Sequence, residues 1–191
     1  MKVRTSLIFA AALTAGASAA NAQSIVTRGV GLAHDCYIYA LVGNDPRGGV
    51  EVCNQSLNRE MLTTKDKAAT HDNRGVMLDA LGQVDAAERD FNAAIALAPS
   101  LGDPYVNLGS MMIKKRQYAE ALDHINKGLE LGMGFPHIGY YDRAVAEQMM
   151  GRYKEAYYDY KKVLELEPSY AQASERLKDF TVTRVPAKNP S

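Results

Sequence analysis

Apolar residues in the middle of this chain recur at spacings of three and four, the pattern of helices with one buried face. Between residues 63 and 180 the apolar stretches come in pairs, and each pair resembles the next. The small residue Gly75 recurs as Gly109 and then as Ala144, at intervals of 34 and 35 residues. A fixed period of this size predicts stacked helical hairpins, none of which can bury its apolar face alone.

The larger core positions follow the same period. They form three in-phase sets: Ala87, Ala121 and Ala156; Phe91, Ile125 and Tyr160; Leu97, Leu131 and Leu166. We therefore predict an all-α solenoid with repeats over 68–101, 102–136 and 137–170. A helix from Ala171 to Phe180, polar on its outer face, is expected to cap the stack. Residues 181–191 are predicted to form a disordered tail.

Residues 23–62 are predicted to form a loose leader followed by a divergent helical hairpin. Gly43 and Pro46 mark the break between its helices. Cys36 and Cys53, 17 residues apart, would lie one on each helix. In an exported chain a pair of cysteines favours a disulfide. A disulfide that closes a loop of this length would stabilise the fold by about 3 kcal/mol. The alternatives are a redox pair, which usually has C-x-x-C spacing, and a metal site, which His34 alone would not complete.

The first 22 residues have the pattern of a secretory signal peptide. Lys2 and Arg4 precede a short apolar run, and small residues precede predicted cleavage after Ala22 or Ala19. A membrane anchor is the alternative, but polar residues interrupt the apolar run after Leu13, and a spanning helix needs about 20 mainly apolar residues. We expect an exported protein, periplasmic (Gram-negative type) or secreted, with no membrane span after cleavage.

Charge and motifs narrow the function classes. Without the signal peptide the chain carries 20 basic and 22 acidic residues. This balance does not favour nucleic-acid binding, which usually shows as a basic patch. The four histidines have no metal-ligand spacing, and no nucleophile elbow, phosphate loop or dinucleotide fingerprint occurs. We expect no catalytic residues, no metal and no cofactor, and therefore a protein that is not an enzyme.

The repeat residues resemble the tetratricopeptide repeat (TPR). The matching positions are Tyr105, Leu108, Gly109, Met112 and Ala121 in one hairpin and Tyr140, Ala144, Gly151, Ala156, Tyr160 and Pro168 in the next. There Arg143 replaces the usual leucine. The resemblance implies a right-handed stack of repeats. The first helix of each repeat would line a concave groove for peptides or partner domains, and we call these the first helices. The exported versions resemble periplasmic TPR proteins of Gram-negative envelopes.

Some TPR proteins grip a C-terminal carboxylate with a clamp of Lys, Asn and Arg. Asn107 fits one place of that clamp, but the basic places hold Asp72, Ile138 and Asp142. The resemblance therefore does not imply a carboxylate clamp, and export argues against a cytosolic chaperone partner.

The helical period predicts which residues the groove presents. They are Asp72, Asn73, Val76, Asp79, Val106, Asn107, Ser110, Tyr141, Asp142 and Gln148. Amides can bond an extended backbone and carboxylates favour cations, so we expect a neutral to basic peptide. The same polar residues could instead brace local backbone. The predicted function is a non-enzymatic periplasmic adaptor or scaffold. The alternative is a self-associating structural protein of the cell envelope, and the partner and oligomeric state stay open.

Overall fold

Antiparallel helix pairs make up nearly all of the described chain. The computed structural model describes residues 6–11 and 31–185. Within these residues the helices are α1 (Leu32–Val42), α2 (Pro46–Arg59), α3 (Thr64–Ala80), α4 (Val84–Leu97), α5 (Asp103–Lys114), α6 (Tyr118–Leu131), α7 (Pro136–Met149), α8 (Tyr153–Leu166) and α9 (Ala171–Leu177). Each packs mainly on its neighbours along the chain, most closely within a pair, and α5 also contacts α3 and α7. The predicted all-α repeat fold is confirmed.

One turn geometry joins the two helices of each of the three repeats. Gly82, Arg116 and Gly151 occupy it with positive φ angles of 73°, 61° and 76°. The next backbone N–H donates to a carbonyl five residues back in all three, at 2.8–2.9 Å. This is the Schellman arrangement, which satisfies carbonyls at a helix C-terminus and favours glycine. Arg116 is the one L-residue with positive φ in the described chain.

The small residues at the in-phase positions permit a close crossing of the two helices. A Cβ on Gly75 would lie 2.6 Å from Cε1 of Phe91, and one on Gly109 would lie 2.6 Å from Cγ1 of Ile125. Ala144, the third member, is fully buried. Larger side chains at these positions would push the helices apart.

The N-terminal hairpin is held by a covalent bond and a carboxylate cap. Cys36 on α1 and Cys53 on α2 form the predicted disulfide, with their Cα atoms 4.9 Å apart. The backbone N–H groups of Leu32 and Ala33 donate to the two carboxylate oxygens of Glu60 at 2.9 and 2.8 Å. An anion at this place satisfies free N–H groups and complements the helix dipole.

Two short strands meet at the other end of the stack. β1 (Ser6–Ala11) pairs antiparallel with β2 (Phe180–Val185) and contacts α8. The predicted cap helix over 171–180 is therefore shorter, since α9 ends at Leu177 and Phe180 begins β2. Residues 181–191 are predicted to be a disordered tail, but the first part of this segment, up to Val185, belongs to β2. Its β-branched residues favour extended backbone. Residues 186–191, and the predicted cleavage sites, lie outside the described residues.

Candidate functional site

The ten predicted groove residues all lie on α3, α5 and α7. Some of them join these three helices to one another, whereas Gln148 and Tyr141 contact Tyr160 on α8. We call the side on which α5 contacts α3 and α7 the groove face. Nine of the ten residues are buried, and only Asp79 is partly exposed. Asp72, Asn73 and Val106 have no exposed surface. The helical period gives the direction of these side chains, and the stacking of successive repeats then covers them.

Polar side-chain contacts join α3 to α5. The side-chain amide of Asn107 donates to both carboxylate oxygens of Asp72, at 3.0 and 3.1 Å. Nearer the C-terminal ends of the same helices, Nζ of Lys114 lies 2.5 Å from Oδ2 of Asp79. Burial raises the pKa of Asp72 well above its ordinary value, against the lowering effect of the Asn107 hydrogen bond.

A buried side-chain hydrogen bond joins α5 to α7. The hydroxyl of Ser110 is within hydrogen-bond distance of the backbone carbonyl of Val106, at 3.0 Å, and of Oδ2 of Asp142. A serine hydroxyl carries one proton and can donate to only one of these acceptors. A protonated Asp142 can supply the second proton by donating to the Ser110 oxygen. Burial raises the pKa of Asp142 to about 7, with the Ser110 hydrogen bond and the charge of Lys114 opposing it.

Polar groups of α7 face α8. Oε1 of Gln148 accepts from the Tyr160 hydroxyl at 2.9 Å, and both side chains are buried. Glu147 occupies the place held by Leu78 and Met112 in the preceding repeats. Burial, together with the charge of Asp159, raises its pKa to about 7. Among the described residues, its Oε2 is the buried side-chain oxygen without a hydrogen-bond partner.

Arginine in place of a core leucine forms an ion pair within the repeat. Nε and Nη2 of Arg143 donate to the two carboxylate oxygens of Asp159 at 2.6 and 2.8 Å, while Nη1 reaches Oδ1 of Asn126 on the preceding repeat. Arg74 makes the same three contacts, to Asp90 and to Asn54.

These two arginine–aspartate ion pairs were not predicted from the sequence. A signal was present, since the two arginines and the two aspartates are each 69 residues apart. Burial alone would raise the pKa of the Asp90 carboxyl, but hydrogen bonds from Arg74 and His71 lower it below its ordinary value.

The last turn of each first helix leaves part of the groove face open. Ala80, Lys114 and Met149 are in phase in the repeat and all are exposed. The exposed residues of this turn are thus an alanine, a lysine paired with Asp79 and a methionine.

Neither a cluster of metal ligands nor a membrane-spanning helix is found among the described residues. No group of three or more His, Cys, Asp or Glu side chains within them could hold a metal ion. Among the same residues, no helix has both the length and the apolar character needed to cross a membrane.

Family comparisons match two of the three repeats. Tetratricopeptide repeat models match residues 68–101 and 137–170. Residues 102–136 between them have the same helix pair and Schellman turn. This chain is a tetratricopeptide repeat protein.

Two curated relatives match part of this chain. The Lipoprotein NlpI homolog of Haemophilus influenzae is 31% identical over 99 residues, which cover 52% of this chain and 31% of the relative. The Hsp70-Hsp90 organizing protein of Triticum aestivum is 26% identical over 115 residues, covering 60% of this chain and 20% of the relative. The matched region thus spans less than a third of each relative.

Solved structures show the same fold. A crystal structure of MamA aligns with a TM-score of 0.58 and 16% identity, covering 78% of this chain and 82% of MamA. The first TPR of Spaghetti (RPAP3), bound to the HSP90 peptide SRMEEVD, aligns with a TM-score of 0.56 and 24% identity, covering 60% of this chain and 92% of that domain.

Proposed function

We propose that this tetratricopeptide repeat protein is a non-enzymatic periplasmic adaptor that binds a peptide or protein partner along the groove face. The observation that carries the proposal is the continuous row of first helices α3, α5 and α7, in which α5 contacts both α3 and α7 along one side of the stack. The similar RPAP3 domain is bound to a peptide. The name of the lipoprotein relative and the signal-like N-terminus support an envelope location.

The charges of the groove face favour a neutral to basic ligand. The peptide on the RPAP3 domain contains two glutamates and an aspartate. In this chain, Asp72, Ile138 and Asp142 stand where a carboxylate clamp would need basic residues. Since burial raises the pKa of Asp142 to about 7, the face carries less negative charge near neutral pH than its count of carboxyls suggests. An uncharged segment therefore suits it best, and a lysine-containing segment next best.

The same residues have a bracing role, so the experiment must separate bracing from binding. Peptides would be selected from a random library on the full chain, and their affinity measured by calorimetry well below the melting temperature. Asn107→Ala should weaken binding at least tenfold and cost about 1–3 kcal/mol of unfolding free energy, because Asp72 loses its donor.

Asn92→Ala is the matched control. The Asn92 amide is exposed on α4 and donates to the Glu88 carbonyl within its own helix, so its loss should leave affinity unchanged. If folded Asn107→Ala protein binds as tightly as the wild type, the groove proposal is wrong and the residue is a brace alone.

Self-association is the second candidate, and one observation favours it. Ile38, Leu41 and Val42 on α1 are 40%, 47% and 58% exposed at the N-terminal end of the stack. An apolar terminal face is a common site of contact between copies. Light scattering across a wide concentration range tests this, and a constant monomer mass would reject it.

A further inference from the structure

The C-terminal end of the stack holds a strand against its last helices. β2 pairs with β1 in continuous antiparallel register, from Ala11 opposite Phe180 to Ser6 opposite Val185. β1 has the sequence SLIFAA, which is uncharged and largely apolar, and it also contacts α8. A two-stranded sheet is marginal on its own, so this pairing depends on the helices beneath it.

An apolar cavity lies beside β2. Its volume is about 470 Å³, and it is lined by Tyr157, Lys161, Leu164, Glu165, Leu177 and Phe180. Phe180 anchors the strand to the helices, because its ring is buried and its centroid lies 5.9 Å from that of Tyr157 and 6.0 Å from that of Tyr160. The two charged residues in the lining have opposite signs, so the cavity carries no net charge to attract an ionic ligand.

β1 belongs to the segment predicted to be cleaved as a signal peptide. In the described part of the chain, β2 has no partner strand other than β1. Cleavage would therefore leave the backbone N–H and C=O groups of β2 unpaired along one edge, directly beside an apolar cavity. An edge of this kind readily accepts another strand.

The geometry points to a strand-binding site, formed by β2, α8 and α9, that takes an extended, uncharged apolar segment of another polypeptide in the processed protein. The site is separate from the groove face and rests on the predicted cleavage, not on the proposed groove function. Main-chain hydrogen bonds to β2 supply affinity, and the cavity selects apolar side chains. Before processing, Ser6–Ala11 pairs with β2, and its uncharged, largely apolar sequence indicates the chemistry of the ligand.

The test uses the full chain with the internal strand disabled. Ile8→Pro removes a backbone donor in the middle of β1, opposite Thr183. A fluorescent peptide of sequence SLIFAA, capped at both ends, should then bind in trans at least tenfold more tightly than it binds the wild-type chain. If Ile8→Pro lowers the helical circular dichroism signal, Phe9→Glu in the same strand replaces it.

Three controls make the result decisive. The same peptide with proline in place of isoleucine should not bind. Leu177→Glu, which places a charge in the cavity, should weaken binding at least tenfold, whereas Asn92→Ala, at an exposed residue of α4, should leave it unchanged. Equal affinity of wild type and strand variants, absence of saturable binding, or dimerisation of the strand variants without peptide would each overturn the proposal.

Discussion

Replacing Asp142 by asparagine tests the buried contact between α5 and α7. In the folded chain this carboxyl is buried beside Ser110, whose single proton cannot satisfy both Asp142 and the Val106 carbonyl. The introduced amide would be uncharged at every pH and could donate an N–H to the Ser110 oxygen, as the protonated acid does. The substitution therefore keeps the side chain at position 142 in the uncharged, donating form that burial favours.

The magnitude follows from the pKa of Asp142, which rises from 3.8 to about 7 on folding. A group with a raised folded-state pKa holds more protons in the folded state between these two values. The contribution of Asp142 to the free energy of unfolding therefore falls as pH rises from about 4 to 7 and is constant above that. The shift corresponds to ~4 kcal/mol, or roughly 10 °C in Tm for a domain of this size.

Urea denaturation followed by circular dichroism at about pH 4 and about pH 8 measures the effect. We expect Asp142→Asn to be stabilised relative to the wild type at the higher pH, by several kcal/mol more than at the lower one. Asp123→Asn, at an exposed aspartate on α6, should show no comparable pH dependence. A stability difference between Asp142→Asn and wild type that is the same at both pH values would refute the reasoning.

Two further predictions concern backbone geometry. Arg116→Gly should raise the free energy of unfolding by up to about 1 kcal/mol, because the left-handed conformation is unfavourable for an L-residue; Gly82→Ala at the in-phase turn should lower it by a similar amount. Gly102→Ala should lower it by ~1–3 kcal/mol, because the added Cβ would collide with the Gly132 carbonyl. Gly134→Ala, whose Cβ would meet only a side-chain oxygen at 3.5 Å, is its matched control; equal denaturation midpoints for the two would contradict the argument.

Most of the fold prediction depends on the repeat period. The recurrence of Gly75, Gly109 and Ala144 predicts helical hairpins, and in the structure these small residues lie where the two helices of each hairpin cross closely. The pairing of Cys36 with Cys53 is also confirmed. Both predictions succeeded because each depends on one hairpin alone, where spacing along the sequence determines spacing in the fold.

The groove face was harder to predict because its burial depends on the contact between repeats. A helical period gives the direction of Asn107 and Asp142 but not their depth, which the neighbouring helices set. The predicted ligand-binding role of these residues stays a prediction. The pairing of β1 with β2 was missed for a related reason, since it joins segments about 170 residues apart in the sequence, and no local pattern specifies such a partner.

Hydrogen exchange of the full chain, with and without a library-selected peptide, tests the central claim most directly. The account predicts added protection of backbone amides on α3, α5 and α7, with α4, α6 and α8 unchanged. Protection confined to the second helices, or exchange that the peptide does not alter anywhere, would contradict binding along the groove face.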